Sequence, residues 1–308
     1  MKVTVADVVS PSYFVATAAV ELGFFEAEGV DAEFVFPPAD RPAALREGRL
    51  DFVGTSAYSG PLAFPEWRGG KLLCALSQHS YWFLCLRSDL GAKKGDVDAV
   101  KGLRISATPQ PGLLLKQLLV DAGIEMERDN VRIVPPPASH DPTGNLAQIG
   151  AQAIEEGIAD GFWGNAMRAE YAARKGIATV LLDLRRGDGP RAARHYTFPA
   201  FMTSDRVIEE HPEAAAGAVR AIVKTQQALR ADPSLAAKVG AKLFPPEEAA
   251  LIETLIARDA EFYQAMISHE AVDGVNRFAQ KAGLLSRSAP YEEVVATQFS
   301  HLWTAAPL

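Results

Sequence analysis

Cysteine is scarce in this sequence, and its histidines are not spaced for metal binding. The 308 residues include 2 cysteines, Cys74 and Cys85, which lie in apolar strand-like runs. They lack the Cys-x-x-Cys spacing of metal and redox sites, so we expect buried, free thiols. The 6 histidines show no ligand spacing such as His-x-x-x-His. We therefore expect no bound metal and no cofactor.

Clustered cations and long apolar runs are also missing. A formal net charge of -7 and the absence of a Lys/Arg run argue against nucleic acid as a partner. No stretch approaches the roughly 18 to 20 apolar residues of a membrane-spanning helix, so we do not expect an integral membrane protein. The segment from Lys2 to Val5 resembles a first strand, leaving no room for a signal peptide. Either the protein is cytoplasmic, or a leader was removed and the protein is periplasmic or otherwise extracytoplasmic.

A ten-residue pattern is present twice, at 44–53 and again at 153–162. Each copy contains the end of a helix, a glycine that stops it, and an aspartate before a short apolar strand. Small polar residues follow each strand. The repeat predicts an α/β protein with two similar lobes, whose strand ends face a shared crevice. Ligands of open parallel sheets bind outside the carboxyl ends of the strands.

The remaining pattern predicts the order of elements along the chain. We predict strands at 2–9, 30–36, 51–54, 101–107, 131–134, 160–163 and 179–184, two further strands within 71–87, and helices at 13–22, 42–48, 113–122, 145–156 and 166–175. Residues 24–29 are predicted to form a turn. The stretch 195–202 would return the chain to the first lobe. Everything after Asp205 is helical in pattern, with breaks at 232–233, 244–246 and Gly283, and should pack on the first lobe.

Three segments carry a resemblance to a known family. They are the opening Ser12-Tyr13-Phe14-Val15-Ala16 through Glu21-Leu22-Gly23-Phe24-Phe25-Glu26-Ala27-Glu28-Gly29-Val30, the segment from Arg46 to Thr55, and the entry Lys101-Gly102-Leu103-Arg104-Ile105. Together they resemble solute-binding proteins of ABC transporters of the nitrate/sulfonate/taurine and thiamine-pyrimidine type. The similarity covers most of residues 3 to 205 in order, and the helical tail fits as well.

The resemblance implies an α/β, two-lobed periplasmic-binding-protein type II fold. Lobe 1 would comprise residues 1–100 and 200–308, and lobe 2 would comprise residues 101–199. It implies a protein that binds a small aromatic, heterocyclic or anionic molecule between the lobes and closes by hinge motion. An ABC permease would be its partner.

Candidate ligand-binding residues come from segments where a strand ends and a helix begins. They are Ser10, Ser12, Tyr13, Thr55, Ser56, Tyr58, His79, Thr108, Gln110, Gly112, Trp163 and Asn165. Hydroxyl groups, free N–H groups at helix starts such as Pro111-Gly112, and aromatic rings suit a small polar ligand. Trp163 is the strongest single candidate because it ends the strand of the second repeat.

Several of these residues have a structural alternative. Thr108 would either cap a helix, the interpretation we favour, or contact ligand. Tyr81 and Trp82, inside an apolar run, are either core residues, the interpretation we favour, or further aromatic contacts to ligand. The Pro-rich loop containing His140 would form either a pocket wall or a surface turn. His195 is expected to be structural.

An enzyme or a cytosolic ligand sensor on the same fold is the alternative function. Aromatic sulfinate desulfinases resemble this chain and use a cysteine in the loop after the first strand, where Ser10 stands here. Fungal pyrimidine-precursor synthases carry a cysteine-dense motif that this chain lacks. A Ser10–His79 pair would supply a nucleophile and a base if folding brings the two within hydrogen-bond reach. We assign no catalytic residue.

Overall fold

A computed structural model describes residues 1–138 and 147–304 of the chain. The strands are β1 (Lys2–Val5), β2 (Glu33–Phe34), β3 (Phe52–Ser56), β4 (Gly70–Ala75), β5 (Phe83–Arg87), β6 (Arg104–Ser106), β7 (Arg132–Val134), β8 (Gly161–Gly164), β9 (Ala178–Asp183) and β10 (Pro199–Ser204). The α-helices are α1 (Phe14–Glu21), α2 (Phe24–Ala27), α3 (Arg41–Arg46), α4 (Gly60–Ala63), α5 (Pro109–Asp121), α6 (Ile149–Glu155), α7 (Ala166–Arg174), α8 (Asp205–Glu210), α9 (Pro212–Ala231), α10 (Ser234–Leu243), α11 (Pro246–Asp259), α12 (His269–Lys281) and α13 (Tyr291–Val294).

The chain forms two compact units. Unit 1 comprises Met1–His79 and Thr197–Leu308, and unit 2 comprises Ser80–Tyr196. Strand β5 pairs with β8 and β9 in unit 2. The domain division at residues 100 and 200 stays a prediction.

The two units contain sheets built on one plan. In unit 1 the strand order is β2-β1-β3-β10-β4, and in unit 2 it is β7-β6-β8-β5-β9. The first three strands in each order are parallel, and the last, β4 or β9, runs in the same direction. The fourth, β10 or β5, runs antiparallel to both of its neighbours. Each sheet therefore presents the carboxyl ends of four strands at one edge.

The sequence repeat has the same geometry in both copies. Gly48 and Gly157 adopt positive φ values of 74° and 67°, where glycine is favoured because it has no Cβ. The carboxylate of Asp51 accepts a hydrogen bond from the backbone N–H of Lys2 at 2.8 Å. That of Asp160 accepts one from the backbone N–H of Arg104 at 3.0 Å. In each unit the aspartate thus fixes the start of the neighbouring parallel strand, which explains its place in the pattern.

Asp160 makes further contacts with Arg104, and they give a pH-dependent prediction. The Arg104 guanidinium, which donates from Nε at 3.0 Å and from Nη2 at 3.1 Å, holds the pKa of the Asp160 carboxyl below its ordinary value. A carboxyl whose pKa is lower in the folded state stabilises that state above the unfolded-state pKa of about 4. We expect Asp160→Asn to lower the free energy of unfolding by about 1–2 kcal/mol at pH 7.

The difference between wild type and Asp160→Asn should shrink as the pH falls from 5 through the folded-state pKa of Asp160. Urea unfolding followed at several pH values measures it. Asp98→Asn is the matched control, because the Asp98 side chain is 72% exposed beside Lys101 and such surface pairs contribute little. A pH-independent difference between wild type and Asp160→Asn would contradict the assignment.

The helical tail belongs to unit 1, as the sequence predicts. The side-chain amide of Gln226 in α9 donates to the backbone oxygens of Ala75 and Leu76, both at 2.9 Å. The Tyr263 hydroxyl donates to the backbone oxygen of Pro11 at 3.1 Å. Helices of the tail end near residues 232, 244 and 282, where the sequence predicts breaks, but residues 263–268 are also non-helical, where it predicts none. The tail therefore supports the end of β4 and the loop that follows β1.

Some elements differ from the sequence prediction. Residues 24–27 form a short helix rather than a turn, since Gly23 at φ 77° separates two helical segments. The strand predicted over 30–36 pairs only at Glu33–Phe34. Of the helix predicted over 145–156, the structure shows α6 at Ile149–Glu155 and a bend at 147–148, and residues 145–146 lie outside the described residues. The predicted buried free thiols are confirmed, and burial raises the pKa of both Cys74 and Cys85.

Candidate functional site

Polar side chains of unit 1 meet beyond the ends of β1 and β3. These strands are parallel neighbours, so the loop after β1 lies beside the end of β3. The hydroxyls of Tyr13 and Ser56 are 3.1 Å apart and share a hydrogen bond. Thr55 and Ser56 lie on β3 itself rather than in the loop predicted for them, and both are buried. The structure thus brings together two segments that the sequence placed at one site.

Ser10 and Ser12 belong to the same loop and are fully buried. The Ser10 hydroxyl has no hydrogen-bond partner among the described residues. The hydrogen-bonded Ser10–His79 pair considered from the sequence is therefore not formed. His79 instead packs edge-on against the ring of Phe262, with centroids 6.1 Å apart.

Tyr58 contributes a ring to this part of unit 1. It is 2% exposed, and its ring packs edge-to-face on Phe278 of α12, with centroids 5.5 Å apart. Burial raises the pKa of the Tyr58 phenol, and the neighbouring Tyr13 adds to the effect. The phenol therefore stays protonated and keeps its capacity to donate a hydrogen bond.

An aromatic cluster lies where β8 ends and β5 begins in unit 2. Trp163 pairs with Leu84, and the two-residue period of a strand places Trp82 on the same face. The indoles of Trp82 and Trp163 stack with centroids 5.8 Å apart and planes inclined by 9°. Tyr81 packs against Trp82 at 5.1 Å. All three rings are at most 6% exposed.

Asn165 occupies the N-cap position of α7. Its side-chain oxygen accepts hydrogen bonds from the backbone N–H groups of Met167 at 2.9 Å and Arg168 at 3.2 Å. This contact satisfies two N–H groups that a helix start leaves free. Asn165 thus has a structural role at the end of β8, and its contact with ligand stays a prediction.

The start of α5 differs from the prediction. The helix begins at Pro109, so Pro111 and Gly112 lie inside its first turns rather than before them. Thr108 occupies the N-cap position, but its side chain makes no capping hydrogen bond, so the predicted capping by its hydroxyl is wrong. Gln110 is exposed and Gly112 is buried.

Gly112 permits a clean test of its predicted ligand contact. A Cβ at this position would lie 3.7 Å from Ala107 and 3.9 Å from Ile133, which is ordinary van der Waals contact. We expect Gly112→Ala to raise the free energy of unfolding by about 0.5–1 kcal/mol, because alanine favours the helix. We also expect weaker ligand binding. Urea unfolding and calorimetry measure the two effects, and unchanged affinity would remove Gly112 from the site.

Two buried arginines of unit 2 were missed by the sequence analysis. Arg168 and Arg185 are 6% and 2% exposed. The Arg168 side chain passes over Gly164 so closely that a Cβ there would lie 3.0 Å from its Cδ. The Arg185 guanidinium lies 5.9 Å from the centroid of the Tyr81 ring. The sequence offers little that would have identified them. Arg168 comes three residues after Asn165, and Arg185 comes just after an apolar strand.

The described residues also bear on metal binding and on membrane insertion. No group of three or more His, Cys, Asp or Glu side chains there is placed to hold a metal ion. None of the described helices is both long and apolar enough to cross a membrane. His140 itself, with the rest of residues 139–146, lies outside the described residues.

Comparison with known proteins identifies the family. The model of the family described as NMT1/THI5 like matches residues 10–236, about three quarters of the chain. The chain belongs to this family. The resemblance noted from the sequence is therefore confirmed. No curated protein sequence matches the chain.

Solved structures that match nearly the whole chain confirm the fold class. The alkanesulfonate-binding protein SsuA from Xanthomonas axonopodis pv. citri, bound to MOPS, has a TM-score of 0.68 at 16% identity, covering 97% of this chain and 96% of that one. The periplasmic nitrate-binding protein NrtA from Synechocystis PCC 6803 has a TM-score of 0.68 at 14% identity, with coverages of 99% and 91%. This chain therefore has the periplasmic-binding-protein type II fold.

An enzyme has the same fold. A mutant of the desulfurization enzyme DSZB in complex with biphenyl-2-sulfinic acid has a TM-score of 0.67 at 15% identity, with coverages of 97% of each chain. At such identities the similarity establishes the fold alone. Function has to be argued from the residues of this chain.

Proposed function

We propose that this chain is the substrate-binding component of an ABC importer and binds one small organic molecule, either aromatic or heterocyclic or anionic. One observation carries the proposal. At the strand ends of each unit, buried polar groups have unused hydrogen-bonding capacity: the hydroxyl of Ser10 in unit 1 and the indole N–H groups of Trp82 and Trp163 in unit 2. A buried polar group without a partner is costly, and a bound ligand would remove that cost.

The ligand would be held between two lobes. The predicted lobes, residues 1–100 with 200–308 and residues 101–199, would both contact the ligand and close on it by hinge motion. Closure would be a shift of an open–closed equilibrium, driven by the tighter affinity of the closed state. Small-angle X-ray scattering with and without ligand tests this part, since closure would reduce the radius of gyration.

Native mass spectrometry tests the binding role. The protein is incubated with pooled aromatic acids, sulfonates and pyrimidines and then transferred to the gas phase. We expect one compound retained per chain and released with its mass intact.

Reconstitution with the permease encoded nearest to this gene would then test transport. A compound retained without any stimulation of uptake would favour a ligand sensor instead.

An enzyme is the second candidate, and the DSZB structure is the observation that favours it. The nucleophiles of this chain oppose it. Burial raises the pKa of both thiols, which keeps them protonated and unreactive. Ser10 has no hydrogen-bonded base. A released compound of altered mass in the same experiment would overturn the receptor proposal and establish catalysis.

We also propose an extracytoplasmic location, because the binding components of ABC importers work outside the cytoplasm. Sequencing the codons upstream of Met1 tests this proposal, together with N-terminal sequencing of the protein isolated from its own cells. A leader that is absent from the mature chain would support it. A native start at Met1 in a protein recovered from the cytoplasm would contradict it.

A further inference from the structure

His79 has a backbone conformation that is uncommon for a residue with a side chain. Its φ is 64°, in the left-handed region, where the Cβ atom crowds the following carbonyl oxygen. Histidine is found there more often than most residues, but it pays a penalty that glycine avoids. Strained residues of this kind cluster at functional sites and switch regions. The place of His79 in the chain therefore matters.

His79 is the last residue of unit 1 before the chain enters unit 2. The preceding residue, Gln78, is fastened within unit 1. Its backbone N–H donates to the backbone oxygen of Phe262 at 2.8 Å. Its side-chain amide donates to the backbone oxygens of Gln264 at 2.8 Å and Met266 at 2.9 Å. Three hydrogen bonds thus hold the chain to unit 1 immediately before His79.

Ser80, which follows His79, is fastened within unit 2. It is fully buried, and its backbone N–H donates to the backbone oxygen of Arg194 at 3.0 Å. The two neighbours of His79 are therefore held by different units. Any rotation at this connection that keeps these hydrogen bonds is concentrated in the torsion angles at His79.

The second connection between the units, from Tyr196 to Thr197, is built differently. The Tyr196 hydroxyl donates to the carboxylate of Asp121 in unit 2 at 2.5 Å. On the unit 1 side, the backbone oxygen of Phe198 accepts from the N–H of Ala57 at 2.9 Å. Neither Tyr196 nor Thr197 is among the described non-glycine residues with positive φ. The strained backbone thus belongs to the first connection.

A positive φ alone does not define a switch. The other described non-glycine residues with positive φ are Glu66, Trp67 and Asn130, each of which lies inside one unit. Glu66 is held in place because its carboxylate accepts from the backbone N–H of Ser286 at 2.9 Å. Asn130 lies in the turn before β7, where asparagine tolerates this conformation. His79 differs because it joins the two units.

We propose that His79 is a backbone switch, whose departure from the left-handed region accompanies the motion of unit 1 against unit 2. Its left-handed penalty would set the balance between two conformations of the protein. The inference rests on the proposed function, because closure on a ligand is the motion that such a switch would serve. A residue that enters the left-handed region easily favours the conformation of this structure, and a residue that resists it favours the other.

Three substitutions of His79 test this balance. His79→Gly, His79→Ala and His79→Val all lack the imidazole, so the ring contact with Phe262 is lost equally in each. Glycine enters the left-handed region freely, alanine pays the penalty, and the β-branched valine resists it most. We expect the ratio of the two conformations to be about fivefold higher in the glycine variant than in the alanine variant, and lower again in the valine variant.

Distances between two nitroxide labels measure this ratio. The labels are attached through Lys238→Cys in α10 of unit 1 and Glu155→Cys in α6 of unit 2, both exposed positions. Cys74 and Cys85 are buried, and burial raises the pKa of both thiols, so the native cysteines stay unlabelled. Double electron–electron resonance of the ligand-free protein should show one distance component that grows in the glycine variant and shrinks in the valine variant.

Asn130→Gly is the matched control, because it relaxes a positive φ of 51° that lies within unit 2. It should leave the distance distribution unchanged. Urea unfolding identifies the variants that are folded, and the glycine and alanine variants carry the test by themselves if the valine variant is not.

The inference is overturned if folded glycine and alanine variants give the same distance distribution, or if Asn130→Gly shifts it as much as His79→Gly does. Both results concern the protein without ligand, so the receptor proposal would stand. A compound released with altered mass in the native mass spectrometry experiment would instead reject the receptor function, while a graded response to the three substitutions would still establish the switch.

Discussion

Replacement of Trp163 by alanine is expected to weaken ligand binding strongly and to destabilise unit 2. Trp163 is 2% exposed and stacks on Trp82 at 5.8 Å, so its loss leaves a large cavity and removes the ring contact. Truncation of a buried tryptophan costs about 3–5 kcal/mol of folding free energy. Loss of a buried aromatic anchor from a site weakens binding by about 2 kcal/mol or more. Urea unfolding and calorimetry measure the two effects.

The two effects have to be separated, because an unfolded unit cannot bind. Trp163→Phe retains most of the packing and should be destabilised much less than Trp163→Ala. Trp303→Ala serves as the control in unit 1, where the indole donates to the backbone oxygen of Leu73 at 2.9 Å. That variant should lose stability but keep its affinity. Full affinity in a folded Trp163→Ala protein would remove this ring from the site.

The fold could be predicted because its determinants are local in the sequence. The helix-stopping glycines Gly48 and Gly157 adopt positive φ, and Asp51 and Asp160 accept from the first residue of the neighbouring strand. Each of these roles depends on a residue type at a fixed spacing, which a single sequence displays. The same reasoning predicted the helix ends near residues 232, 244 and 282, but not the non-helical segment at 263–268.

Parts of the site could not be predicted because they depend on packing. Arginine is rarely buried, so no sequence pattern marks Arg168 or Arg185 as interior residues of unit 2. Trp82 lies in an apolar run and looked like a core residue. Only the structure shows its stacking on Trp163 and the lack of an acceptor for its N–H. The Ser10–His79 pair failed for the same reason, since the separation of two side chains is a tertiary property.

Substitution of Gly161 by alanine is expected to prevent unit 2 from folding at ordinary temperature. Gly161 lies on β8, between β6 and β5. A Cβ there would lie 2.5 Å from the backbone oxygen of Cys85 and 2.6 Å from Leu86. Backbone in the middle of a sheet cannot move aside without breaking the pairing, so we expect a loss of more than about 4 kcal/mol. Hydrogen exchange measured separately for the two units would locate the loss.

The corresponding residue of the first repeat shows what Gly161 contributes. In unit 1 that position is Phe52, whose ring stacks on Phe201 of β10 at 5.4 Å with planes inclined by 15°. Unit 2 has no such ring at this position, and β5 approaches β8 closely instead. That close pairing positions Phe83 opposite Gly164, and hence Trp82 beside Trp163.

Gly161→Ala should therefore expose the amides of unit 2 to hydrogen exchange and abolish binding. Gly112→Ala, in the same unit, should remain folded and is the control. Native-like exchange protection in the Gly161→Ala protein would show that the sheet can relax around a Cβ, and the tryptophan pair would then not depend on this glycine.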